Sequence, residues 1–274
     1  MRIVHTVADL RQALAGARHP AVVPTMGNLH AGHIALVRAA KPLGDTTVAT
    51  IFVNRLQFGA GEDFERYPRT LERDCAQLEA AGCDLVFAPS ELELYPQVQS
   101  FTVQPDPALA DLLEGQFRPG FFTGVCTVVL KLLACTQART AVFGKKDYQQ
   151  LLVIRHMVRQ FALPVDVIGL DTQRETDGLA MSSRNGYLSP AQRAQAGLLA
   201  RVLAACAQAV RGGETDFAKL ENQALHSLRA AGWMPDYMAI RCQSDLRPAQ
   251  ADVPLVVLGA ARLGSTRLID NLEI

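Results

Sequence analysis

The chain has 274 residues, 49% of them hydrophobic, with 27 Lys+Arg against 27 Asp+Glu and a formal net charge of zero. Its length allows a substantial core in one large domain or two. The charge balance argues against a broad nucleic-acid or membrane-surface footprint, but leaves room for a local basic site that takes a small phosphorylated molecule.

The first residues, "MRIVHTVADLRQALAG", lack the apolar centre of a signal peptide and read as a strand feeding a helix. Short β-branched runs follow at 21–25, 46–53, 84–88, 140–143 and 165–170, with helical patterns between them near 33–41, 69–81, 124–137 and 147–161. Such alternation predicts an α/β fold, a parallel sheet covered by helices on both faces. Ligands of these sheets bind at the carboxyl ends of strands, so the segments after Thr25, Val53 and Phe143 are the places to search. The longest apolar stretch, 124–135, is too short to span a bilayer and is broken by Lys131.

The alternation stops near residue 171. Ser189-Pro190 then opens a long helix expected to reach about Arg211, and a second helix is expected over 217–231. Strand patterns at 236–242 and 254–271, the latter a hairpin around Gly264-Ser265, close the chain. These patterns predict a first domain over 1–172 and a smaller α+β domain over 173–274. The six cysteines form no C-x-x-C pair, so they read as buried thiols in a reducing, cytoplasmic compartment, and no structural metal is expected.

Four segments carry candidate chemistry. In "VPTMGNLHAGHIALVRAA" (23–40), His30 and His33 stand three apart where a strand hands over to a helix. A helix N-terminus attracts phosphate, and two imidazoles there can donate to a phosphoryl group as its charge grows; a capped helix with two surface histidines is the plain alternative. In the next loop, Asn54 and Gln57 are amides suited to a hydroxyl or carboxylate, or simply turn formers. Arg66, Arg69 and Arg73 are either a solvated helix face or an anion clamp. "FGKKDYQQL" (143–151) puts Lys145 and Lys146 at a strand end, where lysine serves as a point charge for phosphate; Asp147 and Gln150 have the spacing of a capping-box variant. "GLAMSSRNGYL" (178–188) offers two hydroxyls, a guanidinium and an amide over Ser182–Asn185, fit to wrap a triphosphate or to form a turn.

With "PTMGNLHAGH", "IFVN.LQF", "ED..RYPRTLE.D", "LVFAPS", "LLEG.FRPG", "DYQQL", "DGLAMSSRNGYL" and "RLIDN" in this order, the chain resembles the pantoate–β-alanine ligases, of the H-x-G-H nucleotidylyl transferase superfamily. The resemblance implies a Rossmann-like parallel-sheet domain for nucleotide and pantoate, a smaller α+β C-terminal lid domain, and a homodimer. It implies that ATP, with Mg2+, and (R)-pantoate give pantoyl adenylate and pyrophosphate, after which β-alanine releases AMP and forms pantothenate. No nucleic acid or membrane partner is implied.

Residue by residue, the matching motifs make Met26, Gly27, Asn28, Leu29, His30, Ala31, Gly32 and His33 the first ATP loop, with His33 the catalytic histidine and His30 its partner. Gly144, Lys145, Lys146 and Asp147 are expected on ATP, as are Gln173 and the second loop of Met181, Ser182, Ser183 and Arg184; Lys146 and Arg184 join the catalytic set. Gln57, Gln150 and Asn54 are expected at pantoate, and Gln57 also at β-alanine.

The sequence departs from the family pattern at Arg55 (usually Pro), Phe121 and Thr123 (commonly His and Arg), Lys145 (usually Glu) and Gln173 (usually apolar). Lys145 is expected to offset part of the positive charge lost at Phe121 and Thr123. The competing readings are another H-x-G-H nucleotidylyl transferase and a non-catalytic nucleotide-binding homologue.

Overall fold

In the computed structural model, which describes residues 1–59, 61–250 and 252–274, the chain divides into two units. The first comprises Met1–Lys145 and Gln150–Asp171; the second comprises Lys146–Gln149 and Thr172–Ile274.

The first unit holds six parallel strands: β1 (Arg2–Val4), β2 (Pro20–Thr25), β3 (Thr46–Ile51), β4 (Leu85–Phe87), β5 (Thr140–Gly144) and β6 (Asp166–Leu170). Their order across the sheet is β1-β4-β3-β2-β5-β6. The order reverses at β2, and such reversals place ligand crevices at strand carboxyl ends. β2 and β3 pair from Pro20↔Thr46 to Thr25↔Ile51, so the segments leaving both strands emerge side by side. Both strands are almost wholly buried, as expected for a parallel sheet covered on its two faces.

The helices are α1 (Val7–Ala13), α2 (Ala31–Ala40), α3 (Leu71–Ala80), three short ones, α4 (Glu91–Leu94), α5 (Pro107–Ala110) and α6 (Glu114–Phe117), and the long α7 (Phe121–Thr136) and α8 (Tyr148–Gln160). On α2 the apolar positions Ile34, Val37 and the neighbouring Leu36 and Ala40 face the core formed with Ala21, Val23, Ala49, Leu78 and Val86. Burying each of the larger side chains is worth roughly 2 kcal/mol. Residues 89–120 carry no period strong enough to predict elements, and here the three short helices appear.

In the second unit α9 (Pro190–Gln195), α10 (Leu198–Arg211) and α11 (Phe217–Ala230) pack on an antiparallel sheet of β7 (Met234–Cys242), β8 (Leu255–Leu263) and β9 (Thr266–Glu273), ordered β7-β8-β9. Its core includes Leu199, Leu203, Leu228, Trp233 and Ile240. The expected single helix from Pro190 to Arg211 is two. The first ends in a tight turn, Ala196 N–H to Arg193 O, and the next begins with Arg201 N–H on Gly197 O. Glycine is the weakest ordinary helix former, and the sequence places Gly197 at that break.

Candidate active site

β2 ends in a turn anchored by a hydroxyl. Thr25 Oγ1 donates to Thr50 O (2.7 Å) and accepts the N–H of Gly27 (3.2 Å). Gly27 (φ +81°) and Asn28 (φ +50°) are then left-handed. A Cβ at Gly27 would lie 3.1 Å from both Asp74 Oδ2 and Ile51 Cγ2, so both backbone and space call for glycine there.

His30 and His33 form a reciprocal cap on α2. His30 Nδ1 accepts the N–H of Gly32 (3.1 Å), and His33 Nδ1 accepts the N–H of His30 (3.3 Å). Serine and glutamate usually make this arrangement; here two imidazoles do, with ring centroids 4.0 Å apart. Accepting through Nδ1 assigns the proton of each neutral ring to Nε2. Each ring is thus a donor at Nε2, at the positive end of a helix dipole.

The loop after β3 makes a 3-10 turn, Arg55–Gln57. Asn54 is buried, with only 1% of its surface exposed. Its Nδ2 donates to Gln57 Oε1 (3.0 Å) and to Gly124 O (3.1 Å), and its Oδ1 accepts the Tyr95 hydroxyl (2.9 Å). Asn54 therefore orients Gln57, whose Nε2 reaches Met26 Sδ at 3.3 Å. Gly124 allows α7 this close: a Cβ there would fall 2.2 Å from Leu56 O. Arg118 donates to both carboxylate oxygens of Glu62 (2.7 and 2.6 Å) and to Gln57 O (3.2 Å).

The departures from the family pattern have visible partners. Arg55 pairs with Glu91 (3.0 Å) and Glu65 (3.3 Å) and lies 4.0 Å over the Phe64 ring, ties that take the place of a rigid proline. Phe121 lies under the Arg118 guanidinium at 3.7 Å, and Thr123 donates to Gln104 (3.2 Å). Lys145 Nζ is 2.8 Å from Asp171 Oδ1, so its charge is engaged by a carboxylate of its own unit. Of the three arginines, Arg69 donates to Tyr67 O at 3.4 Å and Arg73 reaches Asn28 Oδ1 at 2.6 Å.

In the second unit Lys146 and Asp147 sit on the 3-10 turn before α8, Nζ to Oδ2 3.9 Å. Asn271 Nδ2 holds the carbonyl of Lys146 at 2.8 Å. The carbonyl of Gln173 accepts the N–H of Met181 (2.9 Å). Ser182 Oγ accepts the N–H of Arg184 (3.2 Å) and starts the 3-10 turn Ser183–Tyr187. Arg174 forks onto the buried Asp270 at 2.6 and 3.0 Å.

The first unit thus brings Met26–His33, Asn54 and Gln57 together, and the second joins Gln173 to Met181. Gln150 is half-buried near the start of α8. Sequence reasoning singled out none of Asp74, Arg118, Asp270 and Asn271; all four were visible only as letters in matching motifs, because their partners lie far along the chain. A cavity of about 450 Å³ lies at the other end of the sheet, lined by Pro20, Leu133, Arg139 and Val165 among others, and contains none of the expected site residues.

An H-x-G-H helix terminus at the switch point of a parallel sheet, next to an amide-lined turn, defines an α/β nucleotide-binding protein of the nucleotidylyl-transferase kind. The model of the pantoate-beta-alanine ligase family matches residues 2–273. Pantothenate synthetases of Verminephrobacter eiseniae and Paracidovorax citrulli are each 63% identical, with all of both chains covered. The solved pantothenate synthetase of Thermus thermophilus superposes with a TM-score of 0.95 at 48% identity, covering 100% of this chain and 99% of that one. The Francisella tularensis pantoate-beta-alanine ligase, solved with Beta-gamma ATP and β-alanine, has a TM-score of 0.84 at 32% identity, covering 100% and 97%. The chain belongs to the pantoate–β-alanine ligase family.

Proposed function

We propose that the chain condenses (R)-pantoate with β-alanine at the expense of ATP. The observation that carries this reading is the reciprocal His30–His33 cap beside Gln57, whose amide reaches Met26 of the same loop.

A carboxylate resists attack by an amine until one oxygen becomes part of a good leaving group. In the first half-reaction a pantoate carboxylate oxygen bonds to the α-phosphorus of ATP, and the bond from that phosphorus to the bridging oxygen breaks, releasing pyrophosphate. In the second, the β-alanine nitrogen bonds to the acyl carbon, the carbon–oxygen bond to AMP breaks, and the ammonium product loses a proton. No covalent bond to the protein is required; the work is alignment and charge stabilisation.

His30 and His33 donate from Nε2 to the phosphates, with the loop Met26–His33 around the nucleotide. Lys146 and Arg184 add positive charge, and Gly144, Lys145, Asp147, Gln173, Met181, Ser182 and Ser183 complete the nucleotide contacts. Gln57 and Gln150 hold pantoate, Gln57 also meets β-alanine, and Asn54 acts by orienting Gln57. Among the described residues no group of three or more His, Cys, Asp or Glu suits a metal. Mg2+ would arrive on the ATP phosphates, the usual mode for this ion.

We further infer a homodimer, supported by Val98 and Phe101, 91% and 89% exposed on a segment without regular structure. A cytoplasmic location is supported by six buried free thiols.

The test is [32P]pyrophosphate–ATP exchange with Mg2+, with and without (R)-pantoate and without β-alanine. Exchange that needs pantoate, and falls about 10²–10³-fold in His33→Ala, is expected. Binding of ATP without any exchange would instead favour a non-catalytic homologue.

A further inference from the structure

We propose that Asp74 is a positioning residue for adenylation: its carboxylate holds the Gly27–Leu29 turn in the shape that presents His30 and His33 to the nucleotide phosphates. The proposal rests on the reading of residues 26–33 as the nucleotide loop.

Asp74 lies in the first turn of α3 and is entirely buried. Its Oδ2 accepts the N–H of Asn28 (2.8 Å) and the hydroxyl of Thr70 (3.0 Å); its Oδ1 accepts the N–H of Leu29 (2.9 Å). Two consecutive amides of the loop therefore converge on one carboxylate more than forty residues away, in a geometry that charge-assisted bonds make strong and directional. The turn needs such a hold. Asn28 is a non-glycine residue at φ +50°, a conformation that persists only where the surroundings over-determine it. The adjacent Arg73 grips the turn from outside, through Asn28 Oδ1 at 2.6 Å. His30, the cap of α2, comes directly after Leu29, so rotation of the turn would carry over to both imidazoles.

Electrostatics alone makes the opposite prediction. A buried carboxylate beside a loop that receives a polyanion repels it, so removing the charge should tighten ATP binding. If positioning dominates, removal should weaken it.

Asp74→Asn keeps the size but gives one of the three donors an N–H instead of an acceptor. Pyrophosphate exchange, Michaelis constants for both substrates and hydrogen exchange over 26–33 are measured together. The expected result is a KM for ATP raised about tenfold and exchange slowed about as much, with the KM for pantoate within twofold and faster amide exchange at Asn28 and Leu29. An unchanged or lower KM for ATP overturns the proposal. Should that variant fold poorly, Thr70→Val removes one donor without touching the loop; a KM for ATP raised about two- to threefold at unchanged melting temperature is expected, and no change counts against Asp74. His33→Ala run alongside separates the two failures. If it exchanges normally, the nucleotide-loop reading is wrong; if it is inactive while Asp74→Asn is normal, only the Asp74 proposal falls.

Discussion

Asn54 Nδ2 donates to Gln57 Oε1 at 3.0 Å, which decides that the Gln57 amide nitrogen, not its oxygen, turns toward Met26. Asn54→Asp keeps the shape and the bond from Tyr95 but sets a carboxylate against Gln57 Oε1 and Gly124 O. Leaving such buried groups unpaired costs about 1–3 kcal/mol. The KM for pantoate should rise at least about tenfold in initial-rate assays, with a smaller change for ATP; an unaltered pantoate KM would remove Gln57 orientation from the account.

Arg174 ties the 172–181 segment to β9. Its guanidinium bonds both oxygens of Asp270, whose side chain is 3% exposed, and also reaches Gly178 O and Asn271 O. Arg174→Ala leaves a carboxylate buried without its partner, a loss of about 3 kcal/mol to the second unit. Arg174→Lys should recover only part of it, since a point charge cannot bond both oxygens in the same way. Urea unfolding followed by hydrogen exchange over 172–181 and 266–273 reads both effects.

Lys145 faces Asp171, itself 84% exposed at the side chain. A pair this open to water contributes about 0–1 kcal/mol. Lys145→Glu is therefore expected to leave the melting temperature nearly unchanged, while the KM for ATP rises several-fold as a charge proposed to face the phosphates reverses. An unchanged KM for ATP would take Lys145 out of the proposed nucleotide contacts.

Burial pushes the Cys126 thiol on α7 up to about 12 from an ordinary 9.0. The folded state keeps its proton longer than the unfolded state does, so stability is full below pH 9 and declines as pH rises toward 12. Cys126 alone contributes a slope of at most about 1.4 kcal/mol per pH unit. Unfolding free energies of wild type and Cys126→Ala between pH 8 and about 10.5 should diverge least at the alkaline end, because the variant lacks this proton.

The sheet strands, both histidines and the strand-end positions of Asn54 and Gln57 were legible in the sequence, since period-2 and period-3.6 patterns and strand-end placement are local properties. The break at Gly197 was not, nor were the short helices between 89 and 120, because three or four residues carry too little periodicity to read. For the same reason the identity of a motif letter said nothing of its partner: Asp74 reaches Asn28 and Leu29, Arg118 reaches Gln57, and Asn271 reaches the Lys146 carbonyl. The departures at Arg55, Phe121 and Lys145 read as lost rigidity and shifted charge until their partners Glu91, Arg118 and Asp171 were in place.

What the sequence determined by itself was the α/β pattern, the H-x-G-H turn and the family, all carried by residues close together in the chain or by motifs in order. What only the tertiary structure decided was which atoms face which: the Nε2 donors of the two histidines, the orientation of Gln57, and the Asp74 carboxylate under the Gly27–Leu29 turn. A hydrogen bond depends on distances of a few tenths of an ångström between residues tens of positions apart, and those distances are set by how the sheet and helices pack.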